Sequence, residues 1–365
     1  MSDAMPKIDR VAASAFRIAT DAPEADGTFA WDHTTLVVAE VSAGGQTGLG
    51  YSYTGAAAAK LINDVLAKQL TGEDACAIPR IWERMVGAVR NLGWRGISAT
   101  AISALDVALW DLKARLMDLP LVRLIGATRD AVPIYGSGGF TSYTTERLAE
   151  QLGGWATHEG CRWVKMKVGT DPDQDLARAE AAREAIGSAE LFVDANGAYT
   201  RKQALDFAEQ YAMLGVTWFE EPVSSDDLEG LRLMRDRAPA AMEIAAGEYG
   251  YEPIYFRRML EAGAVDVLQA DATRCGGITG FMRAAGLADA HMVPLSAHTA
   301  PALHLHVCCA APRLRHIEWF HDHVRIERML FDGAPAPERG LIRPDLSRPG
   351  LGLELKRADA ARLAA

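Results

Sequence analysis

The sequence lacks the long apolar runs and basic clusters that mark several large classes of protein. No run of about eighteen apolar residues occurs in the 365 residues, so no membrane-spanning segment or membrane partner is expected. Residues 1–10 are mixed in charge and have no apolar signal-peptide core, which favours a cytoplasmic protein. Lysine and arginine are scattered and the formal net charge is −10, so nucleic acid is not the expected partner.

Cysteine pairs and glycine-rich loops are also missing. The five cysteines are odd in number and include no C-x-x-C pair, which argues against zinc or dithiol chemistry and favours free thiols in a reducing compartment. Neither G-x-G-x-x-G nor G-x-x-x-x-G-K-[ST] occurs, so no phosphate-binding loop is predicted. What is present is an acidic chain of 49% hydrophobic residues, enough for one large and one smaller domain.

Residues 1–128 are predicted to form an α+β domain. Residues 34–41 alternate and are rich in β-branched side chains, which is typical of a strand, and Gly44 and Gly45 then mark a turn. Helices are predicted at about 56–70, 78–89 and 97–117. The last one carries an apolar stripe at spacings of three and four residues, which indicates a face that packs on a core.

From residue 129 onward the pattern changes to short apolar strands that alternate with helices. Eight strands are predicted, near 132–135, 163–168, 191–194, 216–219, 243–246, 265–270, 293–296 and 316–319. Such alternation implies a parallel sheet, and eight strands close naturally into a barrel, here residues 129–325. No convincing helix follows the eighth strand. Residues 326–365 are expected to return to the first domain, and a doubly wound open sheet is the alternative architecture.

Ionisable residues occur where one predicted strand after another ends. They are Lys165, Lys167, Asp194, Glu220, Glu248, Asp271, His298 and Glu318. Because all strands of a parallel barrel end on one rim, these side chains are expected to converge there. An open sheet predicts no such common rim.

Three of these residues, Asp194, Glu220 and Glu248, are candidate metal ligands. Three carboxylates at one mouth repel each other unless a cation lies between them, and oxygen ligands without cysteine suit Mg²⁺. The alternative is three solvated carboxylates at strand ends. Glu221 is the weaker candidate because strand alternation points it away. Asn196 is either a polar contact in the site or a turn residue.

Two lysines and one histidine are candidate bases. Lys165 and Lys167 share one face of a strand, so each is expected to lower the pKa of the other, which leaves one of them usable as a base near neutral pH. The other can stay charged and bind a substrate carboxylate. Asp271 can fix the tautomer of His298, which then acts from the opposite face of the substrate. Two surface lysines and a structural histidine are the alternatives.

Taken together, the motifs resemble those of the mandelate racemase subgroup of the enolase superfamily. They are K-M-K at 165–167, V-D-A-N-G at 193–197, F-E-E-P at 219–222, G-E at 247–248, Asp271 with G-G-I-T at 276–279, S-A-H at 296–298 and I-E-W at 317–319. The resemblance implies a (β/α)7β TIM-like barrel with an N-terminal α+β capping domain, and a homo-oligomer between dimer and octamer.

The resemblance also implies roles for the residues at the rim. Mg²⁺ would be bound by Asp194, Glu220 and Glu248. Lys167 and the Asp271–His298 pair would be the two bases, and Lys165 and Glu318 would lie at the substrate carboxylate. Because Asp271 stands where the muconate-lactonising branch has a lysine, that branch is disfavoured.

The chemistry implied is removal of the proton next to the carboxylate of a small-molecule substrate, which gives an enediolate. Dehydration of a sugar acid to a 2-keto-3-deoxy acid is favoured, because the subgroup is rich in such enzymes and the predicted capping segments are polar. Their polar residues are Asp21, Glu24, Asp32 and His33, and then Tyr51, Ser52, Tyr53 and Thr54. His33, Tyr53 and Asn196 are the predicted additional substrate contacts.

Other reactions use the same residues and stay open at this point. Racemisation or epimerisation returns the proton to the α-carbon, and cycloisomerisation of a hydroxy acid or sugar-acid lactone opens or closes a ring after the same abstraction. A different class altogether is a barrel that binds sugar acids without turnover. The second candidate base argues against it, since a binding protein needs none.

Overall fold

The computed structural model describes residues 5–365. The chain begins with a three-stranded antiparallel sheet made of β1 (Ile8–Ala25), β2 (Ala30–Ala43) and β3 (Gln46–Tyr53). The predicted turn is confirmed, since Gly44 and Gly45 join β2 to β3 with φ of 56° and 79°. Most side chains of β1 are exposed or half-buried, so the sequence carries little of the alternation that would have predicted this strand.

Helices cover one face of this sheet. They are α1 (Ala57–Leu61), a π-helical turn (Ile62–Leu66), α2 (Ala67–Leu70), α3 (Ile78–Ala88), α4 (Ile97–Leu116) and the short α5 (Leu121–Ile125). The predicted helix at 56–70 is thus confirmed, with a π turn at its centre. β3 lies directly on α4, because a Cβ added to Gly50 would be 2.1 Å from the carbonyl oxygen of Ala104. Glycine permits this close approach.

Eight parallel strands then form a closed barrel. They are β4 (Val132–Gly138), β5 (Trp163–Lys167), β6 (Glu190–Asp194), β7 (Val216–Glu220), β8 (Glu243–Ala246), β9 (Val267–Ala270), β10 (Leu295–Ala297) and β11 (Leu314–Phe320). β11 pairs with β4, Glu318 lying opposite Tyr135. This pairing closes the sheet, so the open-sheet alternative is wrong and the predicted barrel is confirmed.

Helices connect and surround the strands. They are α6 (Thr145–Thr157), α7 (Pro172–Ala185), α8 (Arg201–Met213), α9 (Leu228–Arg237), α10 (Pro253–Glu261), α11 (Gly277–Ala290), α12 (Pro301–Ala310) and α13 (His321–Leu330). The expectation that no helix follows the eighth strand is wrong, since α13 follows β11 at once. Its buried face mixes the polar residues Asp322, His323 and Glu327 with apolar ones, so a search for an apolar stripe alone overlooked it.

The C-terminal segment contacts both parts of the molecule. β12 (Phe331–Asp332) pairs with β14 (Glu354–Leu355), and β13 (Leu341–Ile342) adds antiparallel to β4. After α14 (Arg357–Ala360) and a 3₁₀ turn (Ala361–Leu363), the backbone N–H of Ala365 donates to Ala15 O at 2.9 Å in β1. Domain boundaries at residues 128 and 325 stay a prediction. Within residues 5–365 no helix is long and apolar enough to cross a membrane.

Aromatic side chains fill the barrel interior beneath the strand ends. The stacked rings of Phe192 and Trp218 lie 5.0 Å apart, and Tyr135 packs against both. Two residues further along β6 and β7, Asp194 and Glu220 point the same way, because alternate residues of a strand share a face. The packed interior therefore ends in a polar layer at the C-terminal mouth.

Candidate active site

Three carboxylates meet at this mouth. Asp194 and Glu220 are the last residues of β6 and β7 and lie opposite each other in the strand register, and Glu248 follows β8 by two residues. One ligand oxygen from each lies within 4.8 Å of the others, and all three side chains are buried. The structure thus brings the three predicted metal ligands together.

The donor set fits a hard divalent cation. Burial, followed by repulsion from Asp194, raises the pKa of Glu220 to about 8. Among the described residues no group hydrogen-bonds to the buried oxygen Oε2 of Glu248. A cation between the carboxylates would use that oxygen and relieve the repulsion, and three carboxylates without sulfur are typical of Mg²⁺.

The ammonium groups of two buried lysines lie against these carboxylates. Lys165 Nζ is 2.5 Å from Glu220 Oε1 and 3.3 Å from Asp194 Oδ2, and Lys167 Nζ is 2.5 Å from Asp194 Oδ2. Burial lowers the pKa of Lys167, but the attraction of Asp194 leaves the pKa raised overall. Lys165 lowers the pKa of Lys167 as expected, but the carboxylates outweigh this repulsion between the ammoniums, and the use of one lysine as a base stays a prediction.

His298 and Asp271 form a hydrogen-bonded pair next to another member of the cluster. His298 Nδ1–H donates to Asp271 Oδ2 at 2.9 Å, and Nε2 lies 3.3 Å from Glu248 Oε2, without the alignment of a hydrogen bond. Burial lowers the pKa of His298, but Glu248 and the bond to Asp271 raise it to about 9 overall. The imidazole is therefore a stronger base than an isolated histidine.

Glu318 joins the lysine side of the site to the histidine side. Its Oε1 accepts from Ser137 Oγ at 2.5 Å and lies 2.9 Å from Lys165 Nζ, while its Oε2 accepts from the backbone N–H of Thr299 at 3.1 Å. Burial raises the pKa of Glu318, but Lys165 and His298 bring it down to about 2. The group is an ionised carboxylate that holds Lys165 in place, and its contact with substrate stays a prediction.

Asn196 and Arg274 extend the network. Asn196, with φ of 46°, accepts from Lys167 Nζ at 3.1 Å through Oδ1. Arg274 Nη1 donates to Glu248 Oε1 at 3.2 Å, and its Nε lies 3.5 Å from Asp271 Oδ2. The guanidinium therefore links a candidate metal ligand to the Asp–His pair.

A cavity of about 430 Å³ lies between the barrel mouth and the N-terminal domain. From the barrel, Lys167, Asn196, Glu248 and His298 line it, whereas Lys165 lies deeper. The candidate base on each side, and one candidate metal ligand, therefore face the same cavity, as an active site requires.

The N-terminal domain covers this cavity at two places. At the lysine side, a Cβ added to Gly27 would lie 2.2 Å from Ala195 O and 2.6 Å from Val168 O, so the loop of residues 26–29 rests on the ends of β6 and β5. At the histidine side, the ring of Tyr53 stacks on His323, with centroids 3.4 Å apart and planes 7° apart.

Only some of the polar residues predicted in the capping segments line the cavity. His33 and Tyr53 line the cavity, and His33 is hydrogen-bonded to Arg17 at 3.1 Å and to Asp32 at 2.6 Å. Their contact with substrate stays a prediction. Tyr51 is fully buried and donates to Glu327, so the use of this tyrosine as a polar cavity residue is wrong. The reason is that β3 runs into the interface between the two domains.

His323 is a cavity residue that the sequence analysis missed. It lies five residues after Glu318, in the first turn of the unpredicted helix α13. Burial lowers its pKa well below that of free histidine, so the ring is neutral. The one available signal was the dense run of histidine and carboxylate residues after the eighth strand.

A barrel that carries a carboxylate cluster, buried lysines and an Asp–His pair beneath a capping domain defines a class of metal-dependent proteins built for proton transfer. The family model "Mandelate racemase / muconate lactonizing enzyme, N-terminal domain" matches residues 17–126, and "Enolase C-terminal domain-like" matches residues 147–360. The chain belongs to the mandelate racemase/muconate lactonizing enzyme family of the enolase superfamily. The resemblance stated from the motifs is confirmed.

Characterised relatives include enzymes of two kinds. The L-talarate/galactarate dehydratase of Salmonella typhimurium is 34% identical over 311 residues, which are 82% of this chain and 77% of that protein. The 3,6-anhydro-alpha-L-galactonate cycloisomerase of Streptomyces coelicolor is 33% identical over 370 aligned positions, covering 98% of this chain and 99% of that protein.

Solved structures share the whole architecture. A mandelate racemase/muconate lactonizing enzyme-like protein from Rubrobacter xylanophilus has a TM-score of 0.96 and 54% identity, covering 99% of this chain and 100% of that one. The L-talarate dehydratase from Polaromonas sp. JS666, complexed with Mg and L-glucarate, has a TM-score of 0.88 and 31% identity, covering 99% and 98%.

Proposed function

We propose that this protein is a Mg²⁺-dependent dehydratase of a sugar acid, which it converts to a 2-keto-3-deoxy acid. The observation that carries the proposal is the placement of two proton-transfer groups around one carboxylate cluster. Lys167 contacts Asp194, and His298 lies against Glu248. Removing a proton from one carbon and delivering a proton to a leaving group at the next requires such a pair.

Asp194, Glu220 and Glu248 would hold the ion. When bound, Mg²⁺ supplies Lewis-acid charge for the substrate carboxylate, which makes the neighbouring proton more acidic. The relative from Polaromonas was crystallised with Mg and a sugar diacid, which supports both the ion and the substrate class.

The chain's own residues would carry out the proton transfers. Lys167 must first give up its own proton, which a cation that takes up the charge of Asp194 would favour. Its neutral Nζ then accepts the α-proton, and the charged Lys165 beside it stabilises the negative charge that develops. The protonated Nε2 of His298 gives its proton to the β-hydroxyl, the C–O bond breaks, and water leaves. The enol that results takes a proton at the β-carbon and becomes the 2-keto-3-deoxy acid.

The wall of the cavity supports a polyhydroxylated substrate. Several hydroxyl groups line it, from Thr28, Thr34, Thr35, Thr54 and Thr299. Hydroxyl side chains both donate and accept hydrogen bonds, as sugar hydroxyls do. Thr28, Thr34, Thr54 and Thr299 already have hydrogen-bond partners within the protein, so the hydroxyl groups of a sugar acid would join an existing polar network.

Proton NMR in D₂O tests the proposal directly. The purified protein with Mg²⁺ is incubated with a panel of aldonic, uronic and aldaric acids. A new 3-deoxy methylene signal establishes dehydration and identifies the substrate. Deuterium at the α-carbon without loss of water would replace the proposal by racemisation or epimerisation. Measurable binding of a panel acid with no change in any NMR signal would favour a barrel that binds sugar acids without turnover.

Cycloisomerisation is the second candidate. The observation that favours it is the alignment with the anhydrogalactonate cycloisomerase, which spans 98% of this chain and 99% of that protein. Adding anhydro-sugar acids and sugar-acid lactones to the same panel separates the two reactions. Elimination of a ring oxygen from the β-carbon also gives a 3-deoxy methylene signal, so the substrate distinguishes the reactions. An open-chain acid loses water, whereas an anhydro acid or a lactone opens its ring and loses none, which mass spectrometry of the product measures.

Cellular location and assembly are also proposals. The five cysteines are free thiols, four of them buried, which supports a reducing compartment such as the cytoplasm. A homo-oligomer between dimer and octamer is proposed from the family. Light scattering of the purified protein measures the mass, and a monomer would contradict this.

A further inference from the structure

His304, a fully buried residue of α12, connects the loops that carry the two members of the Asp–His pair. On the loop after β9, the backbone N–H of Ala272, next to Asp271, donates to His304 Nε2 at 2.8 Å. On the loop after β10, the carbonyl oxygen of Thr299, next to His298, accepts from His304 Nδ1–H at 2.9 Å. One imidazole thus accepts from one loop and donates to the other.

These two hydrogen bonds determine the tautomer and charge of the ring. Because Nε2 accepts a backbone N–H, the ring proton of His304 is on Nδ1. Burial lowers the pKa of His304, which keeps the ring uncharged beside Asp271. The ring therefore orients the two loops through its hydrogen bonds, one accepted and one donated, and carries no charge.

The loop after β10 needs such support. Thr299 and Ala300 have φ of 50° and 41°, a left-handed conformation that non-glycine residues adopt rarely. His304 Nδ1 lies 2.9 Å from the carbonyl oxygen of Thr299 and 3.1 Å from that of Ala300. The ring thus binds both carbonyls of the strained turn that begins one residue after His298.

We propose that His304 is a positioning residue, which holds the loop of Asp271 and the loop of His298 at the separation that their hydrogen bond requires. The inference rests on the proposed function, in which His298 moves a proton. The Nδ1–Oδ2 distance of 2.9 Å in the pair is then a consequence of a third residue that touches neither reacting atom nor substrate.

The same helix offers a matched control. His306 is also buried and also joins two segments, since Val122 N–H donates to its Nδ1 at 3.1 Å and its Nε2–H donates to Leu351 O at 3.1 Å. Neither segment carries a residue of the site. Replacing His306 therefore removes an equivalent buried imidazole without disturbing the Asp–His pair.

Three substitutions separate the two links of His304. The amide nitrogen of His304→Asn can take the place of Nδ1 and keep the bond to Thr299. The amide oxygen of His304→Gln can take the place of Nε2 and keep the bond from Ala272. His304→Leu removes both links, and His306→Leu is its control.

The primary readout is the ¹H–¹⁵N signal of His298 Nδ1–H in protein labelled with ¹⁵N-histidine, saturated with Mg²⁺ and without substrate. We expect the downfield signal of this hydrogen-bonded proton to shift or broaden into solvent exchange in His304→Leu and to persist in His306→Leu. An unchanged signal in every folded His304 variant overturns the proposal. If His304→Leu does not fold, His304→Asn and His304→Gln decide it by the same signal.

A kinetic readout follows on the panel acid that the wild-type protein converts. We expect His304→Leu to lower kcat by about 10- to 100-fold, the cost of misplacing a reacting group by about 1 Å, with KM within about twofold. Equal losses in His304→Leu and His306→Leu would overturn the proposal. If no panel acid is converted, the proposed function fails, and the NMR signal still tests the positioning role.

Discussion

Lys167 and Asp194 form a buried ion pair, with Nζ 2.5 Å from Oδ2, so that a candidate base is bound to a candidate metal ligand. Burial opposes the charge of Lys167, but the carboxylate leaves its pKa raised. A cation that takes up the charge of Asp194 weakens this pair. Metal binding and the availability of the base are therefore coupled through one carboxylate.

The first prediction concerns the metal ligands. We expect Glu220→Gln to weaken Mg²⁺ binding by at least about tenfold, since an amide carries no charge to balance the ion. Removal of Mg²⁺ from the wild-type protein with EDTA should abolish α-deuterium exchange, and added Mg²⁺ should restore it. Isothermal titration calorimetry measures the affinity. Glu221→Gln, next in the chain but outside the three-carboxylate cluster, is the control. Loss of binding in this control alone would reassign the ligand.

The second prediction separates the two bases. Lys167→Ala should stop both α-deuterium exchange and dehydration, because the group that accepts the α-proton is gone. His298→Asn should slow dehydration by at least about 10²-fold, the usual contribution of a general acid. It should leave the α-deuterium exchange that Lys167 catalyses. NMR in D₂O measures both rates in one sample. Dehydration at the wild-type rate in His298→Asn would show that the histidine does not act on the leaving group.

The positions of the rim residues could be predicted because a parallel barrel converts sequence spacing into location. Asp194 and Glu220 each end an apolar strand, and such strands end on one rim. Asp271 directly follows β9 and His298 directly follows β10, so both reach the same rim. The pattern therefore predicted which side chains meet, although each residue alone had an ordinary explanation.

The electrostatics of the site and the wall of the cavity could not be predicted in this way. The raised pKa of Lys167 depends on its distance from Asp194, which strand alternation does not contain. His323 and Tyr51 lie at contacts between segments far apart in the chain. The buried face of α13 mixes polar and apolar residues, and a reading that counted only apolar residues overlooked this helix.

The third prediction concerns the loop of residues 26–29. Gly27→Ala should displace this loop from the rim, because the new methyl group would overlap the backbone oxygens of Ala195 and Val168. We expect KM to rise by about tenfold or more, as a gap opens beside Lys167 and Asn196. Gly87→Ala is the control, since a Cβ there meets no described atom within 4 Å outside its chain neighbours and its own helix backbone, and alanine favours the helix. An unchanged KM in Gly27→Ala would show that the loop does not bound the substrate.

The last prediction is a pH dependence of stability that originates away from the metal cluster. Glu327 is buried in α13, where its Oε1 accepts from the Tyr51 hydroxyl at 2.6 Å and its Oε2 from Ala302 N–H at 3.1 Å. Burial raises its pKa from 4.5 to about 8. Between these values the folded protein keeps a proton that the unfolded chain releases. The stabilising contribution is therefore complete below about pH 4.5 and is lost as the pH rises through about 8.

Glu327→Gln removes this titration, because an amide does not ionise in that range. We expect the free energy of unfolding of the wild-type protein to fall between pH 5 and pH 8.5 by about 1–4 kcal/mol more than that of the variant. Urea denaturation at both values, with Mg²⁺ held constant, measures the difference. Glu209→Gln, an exposed residue of α8, makes the same change of charge at the surface and should leave the slope unaltered. Parallel slopes for the wild-type protein and Glu327→Gln would mean that the buried carboxyl group is already ionised in the folded protein at pH 5, with its two hydrogen bonds sufficient to hold the charge.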